Sequence, residues 1–178
     1  MATAATTVAV DLAAGVCPAC NTANDASRKF CRGCRAPLIG PCLSCESDNP
    51  VWEDICGECG HSQTLERERI REELSHTIEA SLTLARAYAY KQSLTQLGSI
   101  QEDSHAFTED LREKAAEQIK LITARRDEEH QWRDQLVELA KQHHQAGNPG
   151  AAVRELKKIP TPLHTNAVLS LMTTAQKA

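Results

Sequence analysis

Cys17-Pro18-Ala19-Cys20, Cys31-Arg32-Gly33-Cys34, Cys42-Leu43-Ser44-Cys45 and Cys56-Gly57-Glu58-Cys59 are four Cys-x-x-Cys pairs that together hold all eight cysteines of the chain. Ten residues separate the first pair from the second, and ten separate the third from the fourth. A two-residue gap lets one tight turn aim two sulfurs at a common point. Two such turns supply the four soft, tetrahedral ligands that structural zinc prefers. The pattern, present twice in tandem, predicts two zinc ions. The equal gaps favour sequential pairing over a cross-braced arrangement, in which alternate pairs would share a metal. Four thiolates per metal leave no open coordination position, so the zinc is expected to be structural.

Working outward, the chain has 178 residues, enough for one ordinary domain or two small units. A formal charge of −4 and a pI near 6.0 argue against a global basic field for nucleic acid or an anionic membrane. Only 3% of residues are aromatic, which excludes a large aromatic core. The opening Met1-Ala2-Thr3-Ala4-Ala5-Thr6-Thr7 has neither the basic region nor the apolar core of a secretory signal. No apolar run has the roughly 18 residues of a membrane span. A reducing cytoplasm with metal-bound thiolates is therefore expected, not a disulfide framework.

Residues 1–15, small and polar, read as a disordered lead-in. The two metal units fill residues 16–61, and each is too small to be stable by burial alone, so metal binding should supply most of its folding free energy. In the first, Phe30 places an apolar side chain beside the second knuckle. In the second, Val51, Trp52 and Ile55 are the apolar residues. Trp52 reads either as a cap on this small core or the contact between the units, or as an exposed recognition aromatic. Charge is split. Arg28, Lys29, Arg32 and Arg35 lie in the first unit, whereas Glu46, Asp48, Glu53, Asp54 and Glu58 lie in the second with no Lys or Arg. Those four cations are ordinary solvated surface, a source of attraction between adjacent modules, or a site for phosphates or an acidic protein surface.

Cys17-Pro18-Ala19-Cys20 with Phe30-Cys31-Arg32-Gly33-Cys34, and the matching second copy, resemble the double zinc ribbon, or DZANK-type, domain, which recurs in bacterial and archaeal proteins joined to other modules. The resemblance covers about a quarter of the chain. It implies two short β-hairpin ribbons, one zinc held by Cys17, Cys20, Cys31 and Cys34 and another by Cys42, Cys45, Cys56 and Cys59. Such knuckles often carry glycine directly after the second cysteine, where a left-handed backbone is convenient. Gly60 obeys; Asn21, Arg35 and Glu46 stand in the other three places.

From Ser62 onward cysteine vanishes and Glu, Gln, Arg, Leu and Ala dominate. Ile70, Leu74, Ile78, Leu82 and Ala85 recur at helical spacing, predicting a helix over about 65–88, with Ser62 or Thr64 as its cap. A shorter helix follows over 91–100. Residues 107–146 contain no Pro or Gly and predict one helix of about forty residues. Its polar middle, Arg125 to Gln131, should be solvated or loosely packed in a coiled coil. Glu128 and Glu129 read as a solvated face, and Trp132 as a packing residue. Gly147-Asn148-Pro149-Gly150 is a turn, and helices over 151–158 and 165–175 follow. The fold class expected is thus small zinc-ribbon β, two tandem four-cysteine ribbons, followed by an all-α region of helical hairpins with a long coiled-coil-like helix over 62–178.

A faint internal repeat relates 65–105 to 124–164. At a shift of fifty-nine residues, Ala87, Leu97, Ile100 and His105 fall on Ala146, Leu156, Ile159 and His164, and Tyr90 falls on Pro149. The second copy is weakly similar to the turn of a tetratricopeptide-like hairpin, although the period exceeds the usual one. Helical hairpins commonly hold peptides or other subunits.

No Walker-type loop, His-Glu-x-x-His or Gly-x-Ser-x-Gly is present, and His143-His144 point to different helix faces. The function expected is a non-enzymatic adaptor that binds another protein through the basic first ribbon and the apolar stripe of helix 65–88; a second copy of the chain is a further candidate partner, and a membrane is not. The alternatives are a nucleic-acid-binding ribbon with a helical recruitment region, or the regulatory N-terminal part of a larger signalling protein.

Overall fold

A computed structural model describes residues 14–177 of the chain. The reading of residues 1–15 as a lead-in therefore falls almost wholly outside the described residues. Two compact units are formed, one ending at Glu73 and the other starting at Leu74.

In the first unit, each Cys-x-x-Cys turn sits at the tip of a minimal antiparallel hairpin. Residue pairs Val16 and Ala23, Phe30 and Pro37, and Ile55 and Ser62 form single bridges. The fourth hairpin is a regular two-stranded sheet of β1 (Ile39–Pro41) and β2 (Asp48–Pro50), with Pro41 opposite Asp48. All four share one register, seven residues from bridge to bridge. Within every hairpin the N–H four residues after the first cysteine donates to that cysteine's carbonyl, at 2.8–3.0 Å. The residue making this bond is left-handed each time: Asn21 (φ 56°), Arg35 (φ 65°), Glu46 (φ 63°) and Gly60 (φ 73°). Asparagine tolerates that conformation, whereas Arg35 and Glu46 hold it against a cost of about 1 kcal/mol or more each.

The apolar core of this unit is small. Leu38 is fully buried and packs with Cys17, Cys31 and Trp52, with Ala36 and Val51 at its edge. Leu38 is tied into the backbone twice, donating to the Lys29 carbonyl and accepting from the Val51 N–H. Trp52, only 9% exposed, thus joins the ribbons as a core residue, and its reading as a binding aromatic gives way to this one. Phe30 and Ile55 are turned outward, 61% and 55% exposed, and take no part in this core.

Five α-helices follow among the described residues: α1 (Gln63–Arg86), α2 (Tyr90–Ile100), α3 (Glu109–Gln145), α4 (Pro149–Leu156) and α5 (Asn166–Lys177). The start of α1 is capped by Ser62, whose Oγ accepts the Leu65 N–H at 3.2 Å, and by Asp54, whose Oδ1 accepts the Thr64 N–H at 2.7 Å. Hydroxyl donation from Thr64 and from Ser62, followed by the Thr64 N–H, holds the Asp54 carboxyl below its usual range.

In the second unit α2 and α4 pack on α3, and α5 packs on α4. Leu97, Ile100, Leu111, Ala115, Ile122, Ala140, Leu156 and Val168 are buried together with Ile78 and Ala85 of α1. Each fully buried large aliphatic side chain contributes roughly 1.5–3 kcal/mol by leaving water. Four of the five stripe residues of α1 are taken up by this core, since Leu74 and Leu82 also pack against it; Ile70 is not among them. It is not the free surface that its periodicity suggested.

Both α1 and α3 end in the same hydrogen-bonded motif. Ala89 donates to the Leu84 carbonyl at 2.9 Å and Tyr88 to that of Ala85 at 3.1 Å; Asn148 donates to His143 at 2.9 Å and Gly147 to His144 at 3.1 Å. Gly147 takes φ 75° without cost, while Tyr88 takes φ 64°. The turn after α3 is shorter than expected, because Pro149 and Gly150 already belong to α4. Proline suits the first helical position, and Asn148 Oδ1 accepts the Ala151 N–H as its cap.

The middle of α3 is not simply solvated. Tyr90 donates its hydroxyl to Glu129, and Arg125 Nε donates to the same carboxylate at 2.9 Å. Conversely, Trp132 is 41% exposed and lies outside the core cluster, so it is not the packing residue its position suggested. No helix among the described residues is long and apolar enough to cross a membrane.

Candidate metal centres

Cys17, Cys20, Cys31 and Cys34 bring their sulfurs within 4.8 Å of one another, and Cys42, Cys45, Cys56 and Cys59 do the same. The grouping is sequential, each set drawn from two consecutive hairpins. Sulfur-to-sulfur distances are 3.6 Å for Cys17 with Cys34 and for Cys20 with Cys31. They are 3.7 Å for Cys42 with Cys59 and 3.9 Å for Cys45 with Cys56. A tetrahedron whose centre lies ~2.3 Å from each sulfur has an edge of about 3.8 Å. These edges match the tetrahedron that zinc requires, and no two sulfurs are disulfide-bonded. The first cysteine of each knuckle is buried; the second is exposed in Cys20, Cys34 and Cys45 and half-buried in Cys59.

Electrostatics favour a cation at both centres. Cys31 is lowered to about 6, chiefly by the Cys34 N–H and further by those of Gly33 and the Asn24 amide. Cys56 is likewise lowered to about 6, by the Ser47 hydroxyl and then the Cys59 and Glu58 N–H groups. The last cysteine of each set behaves oppositely. The Ala36 N–H favours the Cys34 thiolate, but the Cys20 sulfur, burial and the remaining sulfurs prevail and push it up to about 12. At Cys59 the His61 N–H is outweighed by burial and by Cys45, Cys42 and Cys56, again to about 12. Four thiolates this close repel one another. A divalent cation among them removes the penalty and stabilises all four charges.

Further donors orient the sulfurs. In the first centre the Gly33 N–H lies 3.3 Å from Cys31 Sγ, and Asn24 Nδ2 lies 3.6 Å from the same sulfur. Asn24 Oδ1 also accepts the Arg32 N–H at 2.8 Å, clamping the second knuckle. In the second, the Ser44 N–H is 3.4 Å from Cys42 Sγ, and Ser47 Oγ lies 3.0 Å from Cys45 Sγ and 3.4 Å from Cys56 Sγ. Gln63, the buried first residue of α1, donates Nε2 to Cys42 Sγ at 3.2 Å and accepts the Leu43 N–H at 2.9 Å. Such partners fix ligand orientation and tune affinity. His61 is exposed and serves through its carbonyl, which accepts the Cys56 N–H.

Motif spacing alone did not single out Asn24, Ser47 or Gln63. A usable signal was present for two of them. Thr22 and Ser47, each two residues past a knuckle, occupy the same place in the two ribbons, as do Asn24 and Asn49. Gln63 gives no such signal, because its role depends on the helix start being folded back on Cys42. Arg28, Lys29, Arg32 and Arg35 are all exposed, and Arg28 Nε reaches the Phe30 carbonyl at 3.4 Å.

Residues 17–60 match the family model of the double zinc ribbon. With the two sulfur tetrahedra, this makes the segment a double zinc ribbon domain fitted for two structural zinc ions. No curated protein and no solved structure matches the chain.

Proposed function

We propose that this chain is a non-enzymatic, zinc-dependent adaptor that binds another protein in the cytoplasm. Zinc here is structural, as all four positions at each centre are filled by thiolates. The observation that carries the reading is an apolar face left uncovered on α3. Leu121, Trp132 and Leu139 are 56%, 41% and 39% exposed. Spacings of eleven and seven residues return to nearly the same side of a helix, so the three form one stripe about 27 Å long. Large apolar side chains aligned in this way serve association better than solubility.

A second reading has its own support. Exposed Phe30 stands among Arg28, Lys29, Arg32 and Arg35, and an aromatic among cations suits single-stranded nucleic acid.

Affinity capture from native lysate, with zinc present and with or without nuclease, tests both. The wild-type chain is compared with the Leu121→Ser/Trp132→Ser/Leu139→Ser variant. A defined protein that survives nuclease and is lost with the variant is the expected result. Protein capture that is lost on digestion and indifferent to the variant would move the function to the first ribbon. Light scattering reports whether the α3 face is instead occupied by a second copy.

A further inference from the structure

We infer that the helical unit carries a second, separate binding site: a pocket between α2 and α3 that takes a short acidic peptide segment. The pocket has a volume of about 530 Å³ and is lined by Tyr88, Tyr90, Lys91, Leu94, Arg126 and His130, among others. That is within the range of real ligand pockets and far larger than one carboxylate needs, so two or three side chains are accommodated.

Its charge is one-sided. Lys91 and Arg126 supply cations to the wall, His130 adds its ring beside them, and no carboxylate lines it. Glu129, beside the pocket-lining Tyr90, is engaged by the Tyr90 hydroxyl and by Arg125. Burial, followed by the Glu129 contact, pushes the Tyr90 phenol up to about 12, which keeps it protonated as a donor to Glu129. Arg126 pairs with the neighbouring Asp127 at 2.7 Å, but that carboxylate is 60% exposed and such a contact is weak in water. Apart from Thr95, the remaining wall is apolar and aromatic. Tyr90 meets Tyr88 edge-on at 6.2 Å and His130 edge-on at 6.3 Å between ring centres. A ligand combining carboxylates with apolar side chains matches both surfaces.

Backbone strain points to the same place. The turn after α1 requires a left-handed residue, and the equivalent turn after α3 supplies Gly147. Here the residue is Tyr88, held at φ 64° with its ring on the pocket wall and the Arg125 guanidinium 6.0 Å from its centre. A bulky side chain kept where glycine is favoured is a feature that clusters at binding sites. The peptide nature of the ligand rests on the adaptor reading; the preference for carboxylates rests on the pocket alone.

Tyr88 and Tyr90 are the only two tyrosines of the chain, so the full-length zinc-loaded protein labelled with 3-fluorotyrosine reports on this pocket alone. It is titrated by fluorine NMR with a blocked hexapeptide of alternating Glu and Leu, its Gln-Leu counterpart, and inorganic phosphate. Saturable shifts of both resonances by the Glu peptide are expected, with binding at least tenfold weaker for the Gln peptide. Lys91→Gln and Arg126→Gln should each weaken binding severalfold, and together at least tenfold, with helical circular dichroism unchanged. Arg28→Gln/Arg32→Gln in the first ribbon should have no effect. No shift at millimolar Glu peptide, an equal response to the Gln peptide, or a response to phosphate alone overturns the inference. So does loss of binding through the ribbon variant. A null titration beside retained capture on the α3 face removes the pocket and leaves the adaptor reading standing; loss of capture beside a positive titration does the reverse.

Discussion

The two ribbons have the same backbone plan and are finished in different ways. A shift of twenty-five residues carries Cys17, Cys20, Cys31 and Cys34 onto Cys42, Cys45, Cys56 and Cys59, and Thr22 and Asn24 onto Ser47 and Asn49. The same shift carries Leu38 onto Gln63, and there the plans part. Leu38 leaves the first ribbon as a fully buried aliphatic against Cys17, Cys31 and Trp52. Gln63 leaves the second as the first residue of α1, its amide donating to Cys42 Sγ. One ribbon is closed by apolar packing and the other by a hydrogen bond to a ligand. Because the metal dominates each unit, either finish suffices, and the spare positions become free to connect the ribbons to each other and to the helix.

This contrast sets the order of expected effects. Removing zinc comes first, because structural zinc contributes on the order of 10–16 kcal/mol of apparent binding free energy to such units. A strong chelator should unfold both ribbons, read as a red shift of tryptophan fluorescence from buried Trp52. Most helical circular dichroism should remain, since α2 to α5 pack on one another without metal. Leu38→Ala comes next. It should cost about 2–5 kcal/mol, appearing as zinc loss from the first centre in competition with a chromophoric chelator while the second centre holds. Gln63→Ala is the mirror experiment. It should weaken zinc at the second centre by roughly 10–100-fold and leave the first unaffected. A Gln63→Glu variant, which puts a carboxylate beside a thiolate, should be worse than alanine.

The smallest effect tests the left-handed knuckle positions. Arg35→Gly and Glu46→Gly each relieve a non-glycine residue at positive φ with an exposed side chain, and should raise stability by about 0.5–1 kcal/mol. Gly60→Ala should lower it by about 1 kcal/mol. Opposite signs at positions of identical backbone geometry, read from thermal melts at fixed zinc, would confirm that the knuckle dictates the conformation and the residue only tolerates it.

The same contrast explains what could be read in advance. Cysteine spacing is local, so the metal sets follow from it. The left-handed residue after each knuckle follows from the turn itself, even where Arg35 and Glu46 disguise it. Helices α1 to α5 were legible through apolar periodicity, within two or three residues at most ends. Side-chain partnerships across distance were not. The polar run at Arg125 to Gln131 gives no hint that Tyr90, thirty-nine residues earlier, will take Glu129. Trp132 has the composition of a core residue, yet the elements packed on α3 do not cover it. In each case the missing information is tertiary, and periodicity carries none of it.

The most direct test of the central claim, two separate four-thiolate zinc centres, is native mass spectrometry of the purified chain with metal analysis. Two zinc ions per chain with all eight cysteines reduced is the expected result. Fewer than two ions, a different metal, or disulfides among Cys17 to Cys59 would contradict it.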